Sequence, residues 1–83
     1  MKFKLLAVGS RVEYIERGAR AIHVGEQGTI VDIFDMGDRG RDIEECDIGV
    51  DWDRSDPQRH NCLGCARMNH GWWVRPREIK LIF

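Results

Sequence analysis

Ile48-Gly49-Val50-Asp51-Trp52-Asp53 alternates large apolar residues with glycine or aspartate along its length. A side-chain period of two puts Ile48, Val50 and Trp52 on one face and Gly49, Asp51 and Asp53 on the other, the pattern of a half-buried strand. Ser55-Asp56-Pro57-Gln58 stops that strand with turn-forming residues. Upstream, Thr29-Ile30-Val31-Asp32-Ile33-Phe34 is β-branched and aromatic, a second strong strand signal. Asp35 to Asp47 is polar, charged and carries two glycines, and reads as a hairpin tip or mobile loop. Further back, Arg11-Val12-Glu13-Tyr14-Ile15-Glu16 alternates again, with Val12 and Tyr14 on one face. Gly25-Glu26-Gln27-Gly28, preceded by the short apolar run Ala21-Ile22-His23-Val24, predicts a tight turn or bulge.

Toward the C-terminus, Arg59 to Gly71 is an irregular insertion. It is followed by a strand at Trp72-Trp73-Val74-Arg75, one helical turn at Pro76-Arg77-Glu78 and a last strand at Ile79 to Phe83. Proline suits the start of such a turn, because its φ is preset and its missing N–H costs little there. Five or six short strands and no sustained helical period predict an all-β chain. The expected architecture is a small, partly open barrel in a single domain over 1–83, with an irregular His/Cys loop at about 55–71. Met1 to Ser10 has too short an apolar stretch for a secretory signal and reads as a first strand, giving the expectation of a cytoplasmic protein. No apolar run approaches the roughly 20 residues of a membrane helix.

The order of these pieces resembles SH3-like barrels. Gly9-Ser10-Arg11-Val12 with Gly28-Thr29-Ile30-Val31 is similar to their opening, and Ile48 to Asp53 to their central strand. Gly71 to Ile82 is similar to their strand, one-turn helix, last strand ending. A sharper segment, His60-Asn61-Cys62-Leu63-Gly64-Cys65 followed by His70-Gly71-Trp72-Trp73-Val74, resembles small phage and prophage proteins of unknown function. Asn69 stands where that pattern has glycine. The resemblance implies a viral origin and a role during infection, such as inhibiting or modulating a host system. It implies no shared biochemical activity, since fold analogy does not give function.

The net charge of −1 conceals an asymmetry: ten acids against three arginines lie between Asp32 and Asp56. The ends carry the balancing cations, Lys2, Lys4, Arg11, Arg17, Arg20, Arg75, Arg77 and Lys80. Nucleic-acid binding would need those cations gathered on a face turned from the acidic middle. Three cysteines make an odd count, unlike the paired set of a disulfide framework.

His60, Cys62, Cys65 and His70 form H-x-C-x-x-C-x4-H, four possible ligands for one structural zinc ion. The spacing is not that of a standard zinc finger. The alternative is that both cysteines are small buried hydrophobes while the histidines bond to backbone. A redox CxxC wants a helix N-terminus, and none is evident there. Trp72 and Trp73 must point to opposite faces of a regular strand, one to the core and one outward. The outward one is a candidate anchor for a partner, since tryptophan is enriched at binding hot spots. Asp35 and Asp38 of the acidic loop are the accompanying candidates. Nothing supplies an oxyanion hole or a substrate cleft, so the expectation is a non-enzymatic module that binds a protein. A small-barrel nucleic-acid binder is the alternative, and a structural virion component the third reading.

Overall fold

The computed structural model describes residues 6–17, 21–34 and 47–82. Five strands form one antiparallel sheet: β1 (Arg11–Tyr14), β2 (Gln27–Phe34), β3 (Asp47–Trp52), β4 (Gly71–Val74) and β5 (Ile79–Leu81). Their order across the sheet is β4-β3-β2-β1-β5. The chain is therefore all-β, a small and partly open barrel, with β4 and β5 as its two edges. A 3-10 turn, Pro76–Glu78, joins those edges, where the sequence predicts a single helical turn. It is closed at both ends by Glu78: the Arg75 N–H donates to Glu78 Oε1 at 2.7 Å and the Glu78 N–H to the Arg75 carbonyl at 2.9 Å. Of the expected first strand, Met1–Leu5 lie outside the described residues, and Leu6–Ser10 form a turn in place of a strand. There the positive φ of Gly9 (98°) directs the chain into β1.

The alternation in the sequence builds the core. Val12 and Tyr14 of β1, Ile30 of β2, Ile48, Val50 and Trp52 of β3, Val74 and Ile79 all point inward, joined by Ile22 from the connection between β1 and β2. Tyr14 meets Trp52 edge-on, with ring centroids 6.0 Å apart and an interplanar angle of 85°. Gly28 is required for the tight β2–β3 crossing at this point: a Cβ there would lie 2.7 Å from both the Asp51 carbonyl oxygen and Val50 Cγ1.

The β2–β3 register shifts between Ile30 and Asp32. Strict alternation from Ile30 would send Asp32 and Phe34 inward. The extra residue reverses the parity, pairing Asp32 with Gly49, Ile33 with Ile48 and Phe34 with Asp47. Phe34 is consequently 52% exposed on the outer face.

One buried charge ties the loops together. Arg59 has no exposed side-chain surface, and its guanidinium faces both carboxylate oxygens of Glu26 at 2.7 and 2.8 Å. It also donates to the carbonyls of Ala21 (2.9 Å) and Arg54. Glu26 in turn accepts the His23 N–H at 3.1 Å. A planar five-donor fork can satisfy all these acceptors at once; an ammonium cannot. Removing one partner of such a pair leaves the other buried and uncompensated. Arg59→Met is therefore expected to cost about 3–5 kcal/mol, with Arg59→Lys recovering only part of it. Thermal unfolding of the three proteins checks this, and equal midpoints for wild type and Arg59→Met would remove Arg59 from that role.

Candidate functional site

The outer face of the sheet is divided in two. Over one half lies the insertion between β3 and β4, which contains the 3-10 turn Cys62–Gly64. It is held by exchanged hydrogen bonds between His60 and Gly71 (His60 N–H to Gly71 carbonyl 2.9 Å, Gly71 N–H to His60 carbonyl 2.6 Å). Arg67 donates its backbone N–H (2.9 Å) and its guanidinium (2.8 to 3.1 Å) to the Asp51 carboxylate. Burial pushes the Asp51 carboxyl up, but the hydrogen bonds and charge of Arg67 outweigh it and hold the carboxyl below its ordinary value. Gly71 makes the close approach possible. A Cβ there would lie 2.8 to 2.9 Å from the His60 oxygen, the Cys62 nitrogen and Cys62 Sγ.

Each residue of the expected zinc set has a definite place. The His60 ring packs on Trp72, centroids 5.4 Å apart, and His60 Nδ1 accepts the Cys62 N–H at 2.9 Å. His70 Nδ1 lies 2.7 Å from the Trp52 carbonyl oxygen and 3.9 Å from Asp51. Cys62 is fully buried and Cys65 exposed. Burial pushes the Cys62 thiol up to about 11. Among the described residues, no group of three or more His, Cys, Asp or Glu side chains is placed to hold a metal ion. In this arrangement the four residues serve two histidine–backbone contacts, one core thiol and one surface thiol, and they do not converge as a ligand set.

The other half of the outer face presents large apolar side chains beside one ion pair. Across β3 and β4, Val50 pairs with Trp72 and Gly49 with Trp73. Trp72 therefore shares the face of Val50 and packs against the core, while Trp73 turns outward. The Trp73 ring lies across Gly49, where a Cβ would meet it at 3.0 Å. It also meets Phe34 at 6.5 Å between centroids. From the insertion comes Leu63, 88% exposed. Cys62 and Leu63 both have left-handed backbone, φ 49° and 60°, a conformation that costs residues with side chains of order 1 kcal/mol or more each. Phe34, Leu63, Trp73 and Asp47 line one hollow of about 300 Å³. Arg75 bridges to Asp47 at 3.3 Å. The other two candidates, Asp35 and Asp38, lie outside the described residues.

Sequence reasoning reached Trp73 and, as the end of the acidic loop, Asp47, but missed Leu63 and Phe34. No local signal marks Phe34, because the bulge that turns it outward is set by the pairing with β3. For Leu63 the signal was a bulky apolar residue beside glycine in a loop otherwise rich in polar residues. Asp51 and Asp53, read as part of a solvent-facing alternation, are both ion-paired, Asp53 with Arg11 at 2.6 Å. No helix among the described residues is long and apolar enough to cross a membrane. No protein-family model matches the chain, and no curated protein matches it in sequence.

The thiols provide a direct check of the insertion. In a Cys46→Ser background, Cys65 is expected to react at once with a thiol reagent and Cys62 only on unfolding. One bound zinc per chain, protecting both thiols and lost in Cys62→Ser, would instead establish the metal staple. The raised Cys62 value has a sign for stability. The folded protein keeps its proton above the pH, about 8.5, at which an unfolded thiol ionises, so stability falls as pH rises from there toward 11. Burial and nearby carboxylates raise Tyr14 as well, with the same sign. The comparison with Cys62→Ala isolates the thiol: wild type should lose on the order of 2 kcal/mol more than the variant over that range. Parallel pH profiles would show Cys62 to be accessible.

Proposed function

We propose that this chain is a non-enzymatic, protein-binding module whose contact surface is the hollow between Phe34, Leu63 and Trp73. One observation carries the reading: three large apolar side chains from three separate elements converge on one open site. One of them is held in solvent by strained backbone. The Leu63 side chain, 88% exposed, gains no burial from that strain, and such outliers cluster where a ligand is met. A tryptophan seated on a rigid strand beside a second aromatic is a low-entropy anchor of the kind that dominates protein interfaces. The resemblance to phage and prophage proteins suggests a host protein or a viral one as the partner, the binding serving to inhibit or modulate a host system.

The nucleic-acid alternative draws no comparable support. Of its basic set, Arg11 is committed to Asp53 and Arg75 to Asp47, so neither is free for a phosphate, and Asp32 on the same face has no cationic partner among the described residues. The outer face is where an aromatic is presented, so stacking and charge attraction do not coincide there.

A photo-crosslinking side chain at position 63, in cells that naturally carry the protein, tests the reading against the same group at exposed Lys80. A discrete crosslinked protein from position 63, lost when Trp73→Ala is added, is the expected result. Identical products from both positions, or none, would overturn it.

A further inference from the structure

Trp73 offers its main chain as well as its ring. The Trp52 N–H donates to the His70 carbonyl at 2.8 Å, and the β3–β4 register continues from that pair. Bonding therefore alternates along β4. Trp72 and Val74 direct their backbone groups to β3, and Gly71 and Trp73 direct theirs away from it. Gly71 is already satisfied by His60. One residue beyond the strand, the Arg75 N–H is taken by Glu78. Between these two closures, the N–H and C=O of Trp73 have no partner among the described residues. An edge left open at a single residue, directly beside an apolar hollow, is a place for strand pairing that both neighbours limit in length.

The charge around the hollow has a sign. Asp47 lines it. Asp32 is the β2 partner of Gly49, the residue the Trp73 ring lies across, and has no cationic partner among the described residues. In sequence, the stretch joining Phe34 to Asp47 carries five acids against two arginines.

Resting on the protein-binding reading above, we propose that the β4 edge takes a short extended segment of a partner protein. One residue of that segment exchanges both main-chain hydrogen bonds with Trp73. Its side chain then shares the face of Trp73 and is a large aliphatic or aromatic group filling the hollow. Lysine or arginine two positions away falls on the same face and meets the carboxylates.

Fluorescence polarisation with labelled, end-blocked heptapeptides tests this. The core Lys-Thr-Leu-Thr-Lys is compared with Glu-Thr-Leu-Thr-Glu and with a version N-methylated at leucine. The lysine peptide should bind at least tenfold more tightly than the glutamate peptide, a gap that narrows several-fold between about 50 and 500 mM salt. N-methylation should weaken binding at least tenfold, and Leu63→Ser at least fivefold with an unchanged unfolding midpoint. Equal affinities across the peptides, insensitivity to N-methylation or Leu63→Ser, or no binding up to millimolar peptide would overturn the proposal. So would concentration-dependent self-association, seen by light scattering and abolished in Leu63→Ser, since a second copy would then be the occupant. If the peptides fail while position 63 still crosslinks one protein species, the protein-binding reading stands and the extended-segment proposal falls. If both fail, the reading falls with it.

Discussion

The packing of the insertion on Gly71 sets the geometry of the outer face. Because position 71 has no side chain, the backbone at His60 and Cys62 occupies the space a Cβ would need. Cys62 Sγ then sits 4.0 Å from the Val50 carbonyl oxygen, sealed from solvent. Arg67 reaches Asp51 and the His70 ring reaches the Trp52 carbonyl only because the chain between them is pressed to the sheet. Leu63 is at the apex of this folded-over segment, so its exposure beside Trp73 follows from a contact made eight residues away.

The two faces of the sheet are stabilised differently. The inner face is an interlocked apolar core whose burial supplies the main driving force for folding. On the outer face, Asp47, Asp51 and Asp53 of one strand and its extension are each matched to an arginine from a different part of the chain, Arg75, Arg67 and Arg11. Exposed pairs of this kind contribute about 0–1 kcal/mol each. Their consequence is positional: they tie β1, the insertion and the end of β4 to one strand and its extension. The Arg59–Glu26 pair belongs to another class, since its guanidinium is wholly buried.

Much of the scaffold was legible in the sequence because local periodicity and turn chemistry agree with the fold. Val12 and Tyr14, Ile48, Val50 and Trp52 face inward as alternation requires, and the turn at Pro76–Glu78 occurs where proline places it. The opposed directions of Trp72 and Trp73 also follow from a period of two. What was not legible depends on long-range contacts. Arg59 looks like one polar residue of an irregular stretch until Ala21 and Glu26 are brought beside it. Gly49 looks like an ordinary outward position and Gly71 like the end of an irregular insertion, until an aromatic ring and a backbone segment are found lying on them. The β2 bulge, which turns Phe34 outward, leaves no mark on a continuous β-branched run.

Native-state amide hydrogen exchange at Arg67 tests the docking of the insertion most directly. Arg67 is an exposed residue outside every strand, and its N–H is sheltered only through the 2.9 Å bond to Asp51. Protection of this amide well above that of an open loop, together with protection of the Cys62 amide bonded to His60, is the predicted result. Exchange of both amides at the rate of an unstructured peptide would contradict the account: the insertion would not rest on the sheet, and Leu63 would not bound a hollow with Phe34 and Trp73.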